Sequence, residues 1–308
     1  MTEEKIILGA NTPYPLKGIL TLPDDISAPL PAVVFVHGSG SSNMDEKVGK
    51  LTPFRDLAHG LANHGIASLR YDKRSFTHPF KLMKEQPLTV KEETIEDAIL
   101  AAELLRKNPR IDPANVFILG HSMGAMLAPR IDSEGGHFKG LILLAGTPRK
   151  IEEVLEEQLH EMLAEMKGFS RKIAEKQFAK IRKMFDGLYE ISDNEAKKKK
   201  FGGGVTMYYF KEMGEHPVEM YADSLRKPML ILQGKKDFQV KADVDFARYK
   251  ELVGERDNVR YRLYENLNHV FVPSVYGMIS KAKQEYNVEA HIGAMVIGDI
   301  AAFIREVM

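Results

Sequence analysis

The chain is predicted to fold as an α/β protein: a mostly parallel eight-stranded sheet flanked by helices, with a helical insertion after the sixth strand. Three observations predict this. Short apolar runs alternate with segments of helical periodicity along most of the 308 residues, the rhythm of a wound α/β sheet. From the third run onward the apolar residues are mostly continuous rather than alternating, as strands covered on both faces require. After the sixth run the rhythm stops, and residues 149–224 are dense in Glu, Lys and Met without a strand-like run.

In order, the strand candidates are KIIL (5–8), KGILTL (17–22), AVVFVHG (32–38), IASLRYD (66–72), NVFILG (115–120), GLILLAG (140–146), MLILQG (229–234) and VRYRLY (259–264). Helix candidates lie between them, among them FRDLAHGLANHG (54–65), TVKEETIEDAILAAELLRKN (89–108) and ADVDFARYKELVG (242–254). The core therefore comprises residues 1–148 and 225–308, and residues 149–224 form a helical cap. Within the cap, Ile151, Val154, Leu155, Leu159, Met162, Leu163 and Met166 recur at helical spacing and make one apolar stripe. The Lys197–Lys200 run reads as a solvated loop, and the three glycines at 202–204 as a hinge.

Composition narrows the function. Basic and acidic residues number 43 each, for a formal charge of zero, which leaves no basic footprint for nucleic acid and no polybasic membrane patch. The N-terminus MTEEKIILGANTPYP lacks the apolar core of a secretory signal, and no stretch approaches the ~18 apolar residues of a membrane span. A cytoplasmic location is the expectation. With zero cysteines there is no disulfide scaffold, thiolate metal site or cysteine nucleophile. The oligomeric state is left open, a homodimer being one state the sequence allows.

The chemistry centres on GHSMG at 120–124. A nucleophile on a tight turn between strand and helix needs very small neighbours, and Gly120 and Gly124 meet that need. NVFIL precedes the motif and AMLAP follows it, the strand and helix that the elbow requires. Ser122 is the expected nucleophile. A serine hydroxyl is a poor nucleophile at neutral pH, so a base and a group to orient that base are needed at other strand ends. Asp237 follows the seventh run and His269 the eighth. Of the ten histidines, His59 and His64 fall within or at the end of a helix, His160 falls in the insertion, and His78 and His216 each precede a proline. His121 belongs to the elbow itself, too close in sequence to serve Ser122 as base, and is assigned to the substrate pocket. Asp243 and Asp245 compete with Asp237 for the acid, but both fall in an amphipathic helix, where aspartates are ordinarily solvated.

Developing negative charge needs hydrogen-bond donors. One is the backbone N–H of Met123, at the start of the helix; the other is the N–H of Ser39, in the loop HGSGSSNMDE after the third run. Gly38 and Gly40 let this loop approach the substrate, and His37 is expected to bond backbone and hold it. A dinucleotide-binding reading of GSGSSN lacks the third glycine and a helix start. HGLANH spaces its histidines five apart, which does not put them on one helical face, and there is no His-Glu-x-x-His pattern. No metal and no cofactor are implied. Tyr208, Tyr209 and Phe210 are candidate walls of the substrate pocket.

Taken together, VHGSG with DE following, RYDKR at 70–74, GHSMG, LILQGKKD and LNHVF resemble the α/β-hydrolase superfamily, in particular bacterial carboxylesterases related to dienelactone hydrolases and to the catalytic domains of prolyl oligopeptidases. The resemblance implies an ester hydrolase with a cap over its site and a small-molecule ester as partner. Dienelactone hydrolases proper carry cysteine where this chain has Ser122. Arg70, Asp72, Lys73 and Arg74 are expected to form an ion-pair network with Asp45 and Glu46 that fixes the oxyanion loop. The same machinery cleaves thioesters and amides, and from a different class stands a homologue that only binds a small molecule.

Overall fold

The computed structural model describes residues 1–84 and 87–308. Eight strands make the main sheet: β1 (Thr2–Leu8), β2 (Leu16–Leu22), β3 (Leu30–Val36), β4 (Ala67–Tyr71), β5 (Ile111–His121), β6 (Leu141–Leu144), β9 (Met229–Gly234) and β10 (Val259–Tyr264). Their spatial order is β1-β2-β4-β3-β5-β6-β9-β10. β2 runs antiparallel to both of its neighbours, and every other pair is parallel. All eight strands expected from the sequence are present.

The continuous apolar runs have the cause assigned to them. In β3, Val34 and Val36 enter the hydrophobic cluster on one face of the sheet while Val33 and Phe35 enter the cluster on the other. A strand whose two faces are both buried has no position where a polar side chain would reach water. Helices on both faces complete the layers, among them Pro53–Ala62, Glu96–Arg106, Met123–Ile131, Ala247–Val253 and Ala294–Val307.

Register then gathers the site. Val36 lies opposite Gly120, Gly120 opposite Leu143, Leu143 opposite Ile231, and Gly234 opposite Tyr264. The carboxyl ends of β3, β5, β9 and β10 therefore reach one edge of the sheet, where ligand sites of such sheets form.

Between β6 and β9 lie the helices Ile151–Glu165, Gly168–Phe185, Asp193–Lys198 and Met207–Gly214, together with a two-stranded hairpin, β7 (Lys200–Gly202) and β8 (Val205–Thr206). The hairpin was not visible as a strand-like run. It is too short for a period-2 pattern, and its turn uses Gly202, Gly203 and Gly204 at φ 145°, 57° and 87°, so the expected hinge is a tight turn. The apolar stripe of the first helix is buried only at Val154. Its first turns, at Ile151, Val154 and Leu155, line a cavity, while Leu159, Met162 and Leu163 stay half-exposed.

Candidate active site

Ser122 sits between the end of β5 and the helix Met123–Ile131, with φ 53° and ψ −117°. An L-residue held there costs about 1–3 kcal/mol and persists only where its surroundings dictate it. They do so through Gly120 and Gly124. A Cβ at Gly120 would lie 2.2 Å from the Gly124 carbonyl oxygen, and one at Gly124 would lie 2.2 Å from that of Val36. The Ser122 N–H donates to the Leu144 carbonyl at 2.8 Å, which ties the elbow to β6.

Past β10, His269 turns its Nδ1 to Asp237 Oδ2 at 2.7 Å, and both residues are buried. A carboxylate only accepts, so Nδ1 carries the proton and Nε2 is left as an acceptor. Asp237 is held in turn: Gln233 Nε2 donates to Oδ2 at 2.9 Å, and the N–H groups of Gln239 and Val240 donate to Oδ1 at 2.8 and 2.9 Å. Asn268 shapes the histidine loop. Its amide donates to Glu285 at 3.0 Å, and its side-chain oxygen accepts the Val270 N–H at 3.1 Å.

Ser122, His269, Ser39 and Met123 line one cavity of about 500 Å³ with Gly38 and His121, within the range of small-molecule sites. Ile151, Val154, Leu155, Phe201 and Phe210 of the insertion face it. A larger groove, about 620 Å³, runs between the end of β1 and the helix Glu96–Arg106, but none of the expected catalytic residues lines it. Among the described residues, neither the Ser39 nor the Met123 N–H has a protein acceptor. Gly40 adopts φ 85° where the loop turns.

That loop is pinned at several points. His37 Nε2 donates to the Asn43 carbonyl at 3.0 Å; burial pushes its pKa down to about 4, so the ring is neutral and structural. Arg70 reaches Asp45 at 2.9 Å, and Asp72 accepts the Met44 N–H at 2.8 Å. The expected network with Glu46 differs in its partner. Lys73 meets Glu93 at 3.4 Å and Arg74 meets Asp97 at 2.6 Å, while Glu46 pairs with His121 Nδ1 at 3.0 Å. Glu46 also accepts the Gly38 N–H at 2.7 Å, and His121 Nε2 donates to the His269 carbonyl at 2.9 Å. Burial works against charge on both members, yet each carboxylate–imidazolium contact outweighs it: the His121 pKa is raised and that of Glu46 lowered. His121 lines the cavity, and it also joins the oxyanion loop to the histidine loop. The sequence carried no signal for a partner 75 residues away.

The pocket candidates separate. Phe210 faces the cavity. Tyr208 does not; it lies half-buried beneath the Lys197 ammonium, 4.4 Å from its ring centre. Tyr209 points its hydroxyl away to Glu93 at 2.6 Å. Successive helical residues point about 100° apart, so three neighbours in one helix cannot share a wall. Asp245 is also not solvated: it is fully buried, with Arg149 at 2.7 Å and Thr147 at 2.6 Å, and it anchors the root of the insertion.

A sheet of this order with a strained serine elbow at its edge defines an α/β hydrolase. Within that class the chain belongs to the serine aminopeptidase S33 family (Hydrolase_4), whose pattern matches residues 27–272. It is similar to esterase EstD of Thermotoga maritima, 35% identical over 289 residues, which is 94% of this chain and 65% of that protein. The chain thus spans just under two thirds of that relative's length. Among solved structures, it is similar to Est1E from Butyrivibrio proteoclasticus (15% identity, TM-score 0.57, 98% of each chain). It is also similar to the esterase domain of a Rhodothermus marinus protein (15% identity, TM-score 0.58, 100% of each chain). At that identity the likeness concerns the fold.

Proposed function

We propose that this chain is a serine carboxylesterase acting on esters of small or medium acyl groups. The observation that carries the proposal is that His269, bonded to Asp237, lines one cavity with a strained Ser122. Ser122 Oγ attacks the acyl carbonyl as His269 Nε2 takes its proton. The Ser39 and Met123 N–H groups receive the oxyanion, and His269 returns the proton to the departing alcohol. Water activated by the same imidazole then releases the acid. Asp237 orients the ring and stabilises its charged form.

Similarity to an esterase over 94% of the chain supports ester chemistry. The family description raises peptide hydrolysis from a free N-terminus as a second reading. Glu46 is the one carboxylate among the described residues lining the cavity; one of its oxygens accepts the Gly38 N–H, and its charge is already paired with His121 Nδ1 at 3.0 Å. A substrate α-ammonium would have no free anion to meet, which favours the ester. The insertion, residues 149–224, acts in this reading as a cap whose apolar side chains set acyl selectivity.

The test is turnover on esters of graded acyl length with thioester and amide analogues, alongside fluorophosphonate labelling. Esters should be cleaved fastest, Ser122→Ala should neither turn over nor label, and Asp237→Asn should lower kcat by about 10³–10⁴. Wild-type labelling of Ser122→Ala would overturn the assignment.

A further inference from the structure

Two buried charged side chains hold Gly38, one through each of the two peptides that flank it. Glu46 accepts the Gly38 N–H, and the Lys73 ammonium donates to the Gly38 carbonyl at 3.0 Å. Because a trans peptide is planar, the Gly38 C=O and the Ser39 N–H belong to one rigid unit and point in opposite directions. Whatever grips the carbonyl therefore aims the N–H.

The grip does not end at Lys73. That side chain is 2% exposed, so its position is set by what surrounds it. Its ammonium lies 3.4 Å from Glu93 Oε1, and Glu93 Oε2 accepts the Tyr209 hydroxyl at 2.6 Å. Tyr209 belongs to the insertion, and its hydroxyl also lies 3.8 Å from Met123 Sδ. A chain of polar contacts thus runs from the insertion to the peptide that carries one oxyanion donor, and it touches the residue that carries the other. Burial and the neighbouring Glu93 hold the Tyr209 pKa far above its usual value, so the phenol stays a donor.

We propose that Lys73 is the positioning residue of the oxyanion hole, aiming the Ser39 N–H through the Gly38 carbonyl, and that Tyr209 acts on the same peptide through Glu93 and Lys73. This rests on the esterase reading above, in which the Ser39 N–H receives the oxyanion. It makes the insertion part of how the transition state is stabilised, in addition to walling the pocket.

The test compares Lys73→Met, Tyr209→Phe and the pair combined, using a short activated ester and the rate of fluorophosphonate labelling. Lys73→Met should lower kcat and the labelling rate together by roughly 10², approaching the loss of one oxyanion donor, with KM changed less than about threefold because ground-state binding uses other contacts. Tyr209→Phe should lower both several-fold. Added to Lys73→Met it should cause no further loss, because it acts through the lysine. Lys73→Met leaves the buried Glu93 carboxylate without its counter-charge, so the Lys73→Met/Glu93→Gln variant, which removes both charges, is measured as well and should show the same kcat loss if it folds as the wild type does. Wild-type kcat in that folded double variant, a loss confined to KM, or full additivity with Tyr209→Phe would overturn the proposal. Failure of the underlying reading has a different signature: Ser122→Ala would then label as the wild type does.

Discussion

Replacing Ser122 by glycine and by alanine separates backbone strain from chemistry. Both variants lose the nucleophile and should be inactive, but only glycine relieves the backbone at φ 53°, ψ −117°. The strain on an L-residue there is about 1–3 kcal/mol. Against its relief stand the additional unfolded-state entropy of glycine, about 0.5–1 kcal/mol, and the lost burial of one methyl group. That last loss is below ~0.8 kcal/mol, since position 122 is only partly buried. The difference leaves about 1 kcal/mol in favour of Ser122→Gly over Ser122→Ala, and comparing the two cancels the missing hydroxyl. The chain has no tryptophan, so urea unfolding is best followed by far-UV circular dichroism. With a slope near 3 kcal/mol/M, the glycine variant should have the higher midpoint by about 0.3 M. A midpoint for glycine about 0.3 M below that of alanine, the full size of the two opposing terms, would show that the elbow stores no strain.

Asp245→Ala should destabilise the fold by about 3–5 kcal/mol, because it leaves the buried Arg149 guanidinium short of its main partner, whereas the exposed Asp243→Ala should stay within about 0.5 kcal/mol; similar urea midpoints for the two would contradict the burial. The His121–Glu46 pair predicts a pH effect. A raised His121 pKa contributes stability that is complete below the ordinary value of about 6.5 and lost as pH rises through the raised one, and a lowered Glu46 pKa contributes above about 4.5 and is lost as pH falls through its own. Glu46→Gln should therefore show a smaller alkaline decline in stability that begins at lower pH, and a profile superimposable on the wild type would refute the pairing. Phe210→Ala should shift the kcat/KM ratio between long and short acyl esters by about 1–3 kcal/mol, while Tyr208→Ala leaves it unchanged; equal shifts from both would put Tyr208 in the pocket.

The sequence by itself determined the sheet and the order in which its strands deliver chemistry. Continuous apolar runs report burial on two faces, a local property that survives without knowledge of the partners. The elbow was legible for the same reason: the crowding at Gly120 and Gly124 arises largely among residues a few positions apart and the strand alongside. Asp237 and His269 could be chosen because each follows a strand directly, so topology places it at the site edge. What only the tertiary structure decided are pairings across long stretches of chain. Glu46 meets His121, Lys73 meets Glu93 and then Tyr209, and Arg149 meets Asp245. Charged side chains in a helical pattern look alike whether water or an opposite charge receives them, so Asp245 reads as solvated until β9 and the root of the insertion enclose it. The fate of Tyr208, Tyr209 and Phe210 depended likewise on the rotation of one short helix against the core, which three consecutive aromatic residues leave undetermined.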